Sequence, residues 1–427
     1  MIGKIKGIIK SDLVKVTSQT GISTAVRIGA SFIISKVLAI FVGPAGLAVM
    51  GQFNNLANIL QSLSTGGITV GVTKYISEYA DDKPKQIEII NNSIKVVLIC
   101  SILSTLFVAL FYRFLGNYFF KSSAYDTILL VLGLTIVLFS FNSLIAAIVN
   151  GFKQFKLFVI INICTSIISL LFTSILAYFF GVQGALISFV LSPAVVFFVS
   201  WYLVRKEQWI NYNFFKIKTN NKVLKSLSSF ALIAINNAVV GAIAQIAIRT
   251  FITGQMNLKV AGIWDGMNRL SAAYLLLITT SIQVYYLPTL SYIKDNKLLW
   301  KEIIKTEKIV IPITLIMFIV IFFFRSIIIN ILFTKEFYQM KSVFALQLFG
   351  DFIKIISWII AYTMYAKAMT KNLIITDNVF TFIYVATSYF FLKHTHFGLS
   401  SVYYAFILNN TIYLIFITLF IRKKILT

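Results

Sequence analysis

Apolar runs of about 20 residues, the length a helix needs to cross a bilayer, recur along the whole chain. Twelve stand out, near 17–42, 46–76, 93–116, 127–150, 157–180, 183–204, 226–253, 260–288, 309–332, 342–366, 373–392 and 399–421. The second is the most interrupted, by Gln52, Asn54, Asn55, Asn58 and Gln61. The connections are short and leave no room for a soluble catalytic domain. In four runs the polar residues fall at helical spacing on one face. Thr20, Thr24, Arg27, Ser31 and Ser35 form one such stripe, and Asn54, Asn58, Gln61, Thr65 and Thr69 a second. The eighth run aligns Asp265, Asn268, Arg269, Ala272, Thr279 and Gln283; the tenth aligns Gln347, Asp351, Lys354, Trp358 and Tyr362. Four such stripes imply a shared hydrated interior, although hydrogen bonding between helices is the simpler use for them.

Composition agrees with the pattern. Of 427 residues 59% are hydrophobic and only 12% charged, against about 25% charged in soluble domains. The chain therefore reads as an all-α polytopic membrane protein. Its net charge of +24 would suggest nucleic acid in a soluble protein, but topology absorbs most of it. With the N-terminus placed in the cytoplasm, 24 basic residues in or beside connections fall inside and 7 outside, which argues for both termini inside. The most basic connection, 205–225, separates residues 1–204 from 226–427, six spans each. Any repeat between the halves is then parallel. Cys100 and Cys164 lie in apolar runs, which excludes a disulfide framework, and no cleavable signal peptide is expected.

Some charges remain that topology does not explain. Arg27, Lys36, Lys74, Lys95, Arg249, Arg269 and Lys354 lie within or at the margins of spans, as do the acids Asp265 and Asp351. A charge at mid-bilayer costs roughly 2.5–3.5 kcal/mol on insertion scales, so each needs a partner or polar surroundings. Lys36 lies about 160° from the Thr20 stripe, and it, Lys74 and Lys95 can reach an interface by extending their stems. Asp265–Arg269 and Asp351–Lys354 have the spacing of intrahelical ion pairs; the same acids are candidates for ion coupling. Arg27 and Arg249 have no acid at helical spacing. Cations without acids suit an anionic cargo, because guanidinium and ammonium groups can replace the water around phosphate oxygens. Asp81-Asp82, beside Lys83 and Lys85, and the pair His394 and His396 lack the further ligands of a metal site. No Walker loop is present, so no nucleotide drive is expected.

Six short blocks resemble the lipid-linked oligosaccharide flippases of the Wzx type. They are Phe41-Val42-Gly43-Pro44-Ala45-Gly46-Leu47, Gly71-Val72-Thr73-Lys74-Tyr75, Gly262-Ile263-Trp264, Tyr286-Leu287-Pro288-Thr289-Leu290-Ser291, Gln347-Leu348-Phe349-Gly350-Asp351 and Tyr365-Ala366-Lys367-Ala368. The likeness is greatest to the O-antigen and enterobacterial-common-antigen members of the multidrug/oligosaccharidyl-lipid/polysaccharide exporter superfamily. It implies a MATE-like fold of 12 helices in two six-helix lobes around a central, alternately opening cavity. It implies an undecaprenyl-pyrophosphate-linked oligosaccharide as cargo, moved from the cytoplasmic to the periplasmic leaflet of the bacterial inner membrane. Arg27, Lys36, Lys74, Arg249 and Arg269 are then the candidates to meet the pyrophosphate. Asp351, Lys354 and Asp265 are candidates for ion coupling or ion pairing. No cofactor or metal is expected, with protons or sodium as coupling ions. The implied partners are the lipid-linked substrate, membrane lipids and the polymerase and chain-length proteins of the same pathway, and no nucleic acid.

Three rival readings share the topology in whole or part. A drug or cation antiporter of the same superfamily favours acids in its cavity, which Arg27 and Arg249 oppose. A membrane glycosyltransferase, polymerase or ligase carries its chemistry in a sizeable external loop, whereas the external segments here offer only Asp126 and Glu336. A flippase for the peptidoglycan precursor has 14 spans.

Overall fold

The computed structural model describes residues 2–210, 220–281, 286–293, 295–367 and 369–426, with the side chains of 2–20, 222, 280, 281, 287, 288, 425 and 426 outside that description. Lys4, Lys6, Lys10, Lys15, Thr20, Lys222 and Gln283 are therefore not placed by their side chains, and 211–219 of the basic linker lie outside the described residues. The described backbone is helical, without strands. Its helices are α1 (Ile2–Phe41), α2 (Gly43–Ser64), α3 (Thr69–Glu78), α4 (Lys83–Phe120), α5 (Asp126–Gly151), α6 (Phe155–Val204) and α7 (Asn221–Gln255). They continue with α8 (Leu258–Ser281), α9 (Leu287–Tyr292), α10 (Asn296–Phe323), α11 (Arg325–Leu332), α12 (Met340–Ala366), α13 (Thr370–His394) and α14 (Ser400–Leu426).

Nine described helices are long and apolar enough to cross a membrane. Among them α6, with 50 residues, is two spans folded at Gly181, whose φ of 55° and ψ of −129° break the helix. The pair α2–α3 and the helices α8 and α9 fall short of that measure and occupy the two remaining expected spans. The second expected span is split where Gly66 and Gly67 take φ of +60° and +64°, a conformation that costs glycine little. Gly67 also lies so close to the Ala231 carbonyl that a Cβ would not fit. Local chemistry ends and starts the helices. Asp82 caps α4 by accepting a hydrogen bond from the Lys85 amide at 3.1 Å, so this half of the Asp81-Asp82 pair has a structural use. Asp295 caps α10 in the same way through the Leu298 amide at 2.8 Å.

The chain divides into two compact units. Unit 1 comprises Met1–Phe41 and Phe53–Val239; unit 2 comprises Val42–Gln52 and Val240–Thr427. The divisions fall inside α2 and α7, so each of these helices contributes to both. In unit 1, α1 packs on α6, α6 on α5, and α5 on α3 and α4. Its core gathers Ile68, Val72 and Ile76 with Ile89, Ile90, Leu144 and Ile148. Hydroxyls join the helices: Ser140 donates to Ser64 at 2.7 Å and Thr73 to the Ala147 carbonyl at 3.0 Å, as expected of membrane helix contacts.

In unit 2, α12 is the central helix, packed against α8, α9, α10, α13 and α14. Tyr286 fixes α9 to it by donating to the Ile359 carbonyl at 3.0 Å. The start of α2 is held here because Gly262 on α8 receives the Pro44 carbonyl where any Cβ would collide with it. Two blocks far apart in sequence, Gly43-Pro44 and Gly262-Ile263-Trp264, thus meet. Gly262→Ala is expected to destabilise the purified protein by about 1–3 kcal/mol or more, the usual cost of overpacking. Thermal unfolding in detergent checks this, and an unchanged midpoint contradicts the close approach.

Candidate functional site

The connection between α7 and α8 is only Met256-Asn257, so the two helices form a hairpin. Residues equally distant from such a turn come level with each other, and Arg249 and Asp265 are nearly so. The Arg249 guanidinium donates through Nε to Asp265 Oδ2 at 2.7 Å and through Nη2 to Oδ1 at 2.6 Å. Its third edge donates from Nη1 to Gln52 Oε1 at 3.1 Å, and the Trp264 ring lies 5.6 Å away. Both charged side chains are buried, at 4% and 6% exposure. Gly51 makes the arrangement possible, since a Cβ there would strike both Arg249 and Asp265.

This geometry corrects two expectations. Arg249 is a paired cation, its acid supplied across the hairpin, and Asp265 pairs with Arg249 rather than with Arg269. Two parallel charge-assisted bonds hold the carboxylate more strongly than one contact along a helix can. Arg269 remains a second positive charge within electrostatic range of Asp265. Gly51 was not singled out by sequence, and Gln52 only as an interruption of the second apolar run. The signal that could have found the pair was the near-equal distance of residues 249 and 265 from the Met256-Asn257 turn.

A second polar centre lies on α12. Asp351 is fully buried, and its Oδ2 accepts three hydrogen bonds. Ser271 Oγ donates at 2.6 Å and Tyr274 OH at 2.5 Å, both from α8; Gln347 Nε2, one turn back, donates at 2.9 Å. Oδ1 has no hydrogen-bond partner. Lys354 does not pair with Asp351, contrary to the spacing argument. Its ammonium stands 4.8 Å from the Trp358 ring centre and 5.7 Å from that of Phe406, an arrangement in which ring electrons attract the cation. Asp351 and Lys354 instead share a cavity of about 180 Å³, lined also by Gln245, Asn268 and Tyr403. Asn268 Nδ2 and Tyr403 OH are buried there without partners.

In unit 1 the candidate cations are dispersed. Arg27 is exposed on α1, as is Ser31 one turn on, while Thr24 is half-buried. Asn58 on α2 is exposed as well. Lys36 is half-buried and has interactions of its own. Lys74 on α3 lies 3.7 Å from Glu78 and within 4.8 and 5.2 Å of the Tyr75 and Phe230 ring centres. Among the described residues no three His, Cys, Asp or Glu side chains gather as a metal site. Cys100 and Cys164 are free thiols.

The sequence and the fold are each similar to those of known proteins. Residues 13–294 match the family described as "Polysaccharide biosynthesis protein". The chain is 30% identical over 394 residues to a protein named Lipid III flippase from Escherichia coli (strain K12), covering 92% of this chain and 95% of that one. The Lipid III flippase of Shigella flexneri matches to the same extent. An inward-facing multidrug resistance transporter of the MATE family superimposes with a TM-score of 0.81 at 16% identity, covering 94% of this chain and 98% of the other. An outward-facing one gives 0.68 at 17% identity, covering 96% and 95%. These structures share the fold, and the sequence relatives are named as flippases rather than enzymes. The chain is accordingly a multi-pass membrane transporter of MATE-like fold and belongs to the polysaccharide biosynthesis protein family.

Proposed function

We propose that this transporter is a flippase for an undecaprenyl-pyrophosphate-linked oligosaccharide, a repeat unit of O-antigen or enterobacterial-common-antigen type. It moves this cargo from the cytoplasmic to the periplasmic leaflet of the bacterial inner membrane by alternating access. The observation that carries the reading is 30% identity along 92% of the chain to proteins named Lipid III flippase. Arg27, exposed in an apolar helix, supports it, because its guanidinium is a bidentate donor that matches phosphate oxygens. Lys36, Lys74 and Arg269 are the further cations proposed for the cargo. Arg249 contributes through its pair with Asp265. Polymerase and chain-length proteins of the same pathway are the proposed partners. The distribution of Lys and Arg supports cytoplasmic termini; a reporter fused after Lys15 or after Thr427 that reads periplasmic contradicts this.

Deleting the gene in its host tests the reading. Surface glycan should be lost and lipid-linked oligosaccharide should accumulate, with drug susceptibility unchanged. Increased drug susceptibility with normal glycan would instead identify a drug antiporter.

Coupling is proposed to run through protons or sodium at Asp351. Its free Oδ1 and the small polar cavity beside it support this. Asp351→Asn keeps the shape of the side chain but cannot titrate. The variant is expected to accumulate normally while flipping loses its dependence on the ion gradient. Full gradient dependence in that variant assigns Asp351 a structural role.

A further inference from the structure

A cavity of about 560 Å³ opens in unit 1, away from the charges considered so far. Three regions build it: the first turns of α4 with the segment leading into them, the α5–α6 turn and the segment after α6. The distribution of basic residues assigns all three to the cytoplasm. Its size lies within the range of about 300–1,000 Å³ common for small-molecule sites. Its wall carries two ammonium groups, from Lys83 and Lys153, one carboxylate, from Glu207, and three amide side chains, including Gln154 and Gln208. Phe152 and Trp209 also line it, stacked with ring centres 5.9 Å apart and planes 19° apart.

This wall is held in place. Gln154 Nε2 donates to Glu207 Oε2 at 2.6 Å, tying the α5–α6 turn to the segment after α6. Buried Gln86 donates to the Ile76 carbonyl at 2.9 Å. Trp209 Nε1 and Gln154 Oε1 are covered and have no hydrogen-bond partner. Lys153 is the more telling residue. It follows the end of α5 with φ of +57°, the left-handed position at which helices favour glycine. A lysine there retains a strained backbone together with a side chain that reaches the cavity, and such strain concentrates at functional positions.

The chemistry selects among ligands. A phosphate would meet the two ammonium groups but leave the amides, the aromatic rings and the Glu207 carboxylate unmatched, and an acyl chain would meet amides and charges. Hydroxyl-rich rings satisfy all of these groups: amides and carboxylates bond their hydroxyls, while aromatic side chains cover their C–H faces. We infer that this cavity is a carbohydrate subsite, which receives sugars of the cargo's headgroup while the lipid is still in the cytoplasmic leaflet. The inference rests on the flippase reading and adds to it a place where the glycan is read.

Lys153→Gly provides the test, because glycine relieves the left-handed backbone while removing the side chain. In vesicles containing the purified full-length protein and lipid-linked oligosaccharide extracted from producing cells, the variant should be at least as heat-stable as the wild type. The substrate concentration for half-maximal flipping should rise about three- to tenfold, the worth of one hydrogen bond. Gln208→Ala should raise it similarly. With a benzophenone side chain at position 208, irradiation should attach the glycan to the protein. Oligosaccharide freed from its lipid should compete, and inorganic pyrophosphate should not. Unchanged half-saturation in both variants, or competition by pyrophosphate alone, overturns the subsite and leaves the flippase reading standing. Absence of any flipping by the wild-type protein would instead remove the flippase reading itself.

Discussion

Arg249→Ala and Asp265→Ala should each destabilise the protein by about 3–5 kcal/mol, the cost of leaving one buried charge without its partner. Each removes two charge-assisted bonds of 2.6–2.7 Å, and Arg249→Ala also strands Gln52. The double variant Arg249→Met, Asp265→Leu should be less damaging than either single one, because neither member of the pair is left without the other. Thermal unfolding of the purified variants, combined as a double-mutant cycle, measures the coupling. Additive losses would mean that the pair does not act as a pair. The result also separates two roles, since a group that only met cargo would lower export and leave the unfolding midpoint alone.

Arg27→Ala should do the opposite. Arg27 is exposed on α1, and exposed positions usually shift stability by no more than about 0.5 kcal/mol. Abundance should therefore hold while export of the glycan falls. The loss of charged hydrogen bonds to a phosphate, worth about 1.5–3 kcal/mol, corresponds to a roughly 10- to 150-fold weaker interaction. Arg27→Lys should restore only part of the activity, because an ammonium lacks the two-pronged donor set. Normal export by Arg27→Ala at native expression would exclude a phosphate-binding role for this residue.

The spans were legible because a helix in lipid must satisfy its own backbone, which forces long apolar runs into the sequence. Even the fold of α6 at Gly181 was visible as two runs, 157–180 and 183–204. The break at Gly66-Gly67 was legible as glycine, though not as a change of direction. The charge clusters were less accessible. Spacing along one helix suggested Asp265 with Arg269 and Asp351 with Lys354, but the partners came from across helix contacts. Arg249 reaches Asp265 over a hairpin, and Ser271 and Tyr274 reach Asp351 from α8. Gln347 was the exception, already aligned with Asp351 one turn away. The cavity beside Lys153 was invisible in the sequence because three segments far apart in the chain make it, none with a motif of its own.

Reconstituted flipping tests the central claim most directly. Purified protein is placed in vesicles with labelled undecaprenyl-pyrophosphate-linked oligosaccharide, and an added glycosidase reports how much glycan is exposed in the outer leaflet. Protein-dependent movement of the glycan between leaflets, absent from empty vesicles and reduced at least tenfold by Arg27→Ala, is the predicted result. Folded protein that leaves the glycan where it started, while moving a cationic drug across the same membrane, would contradict the account.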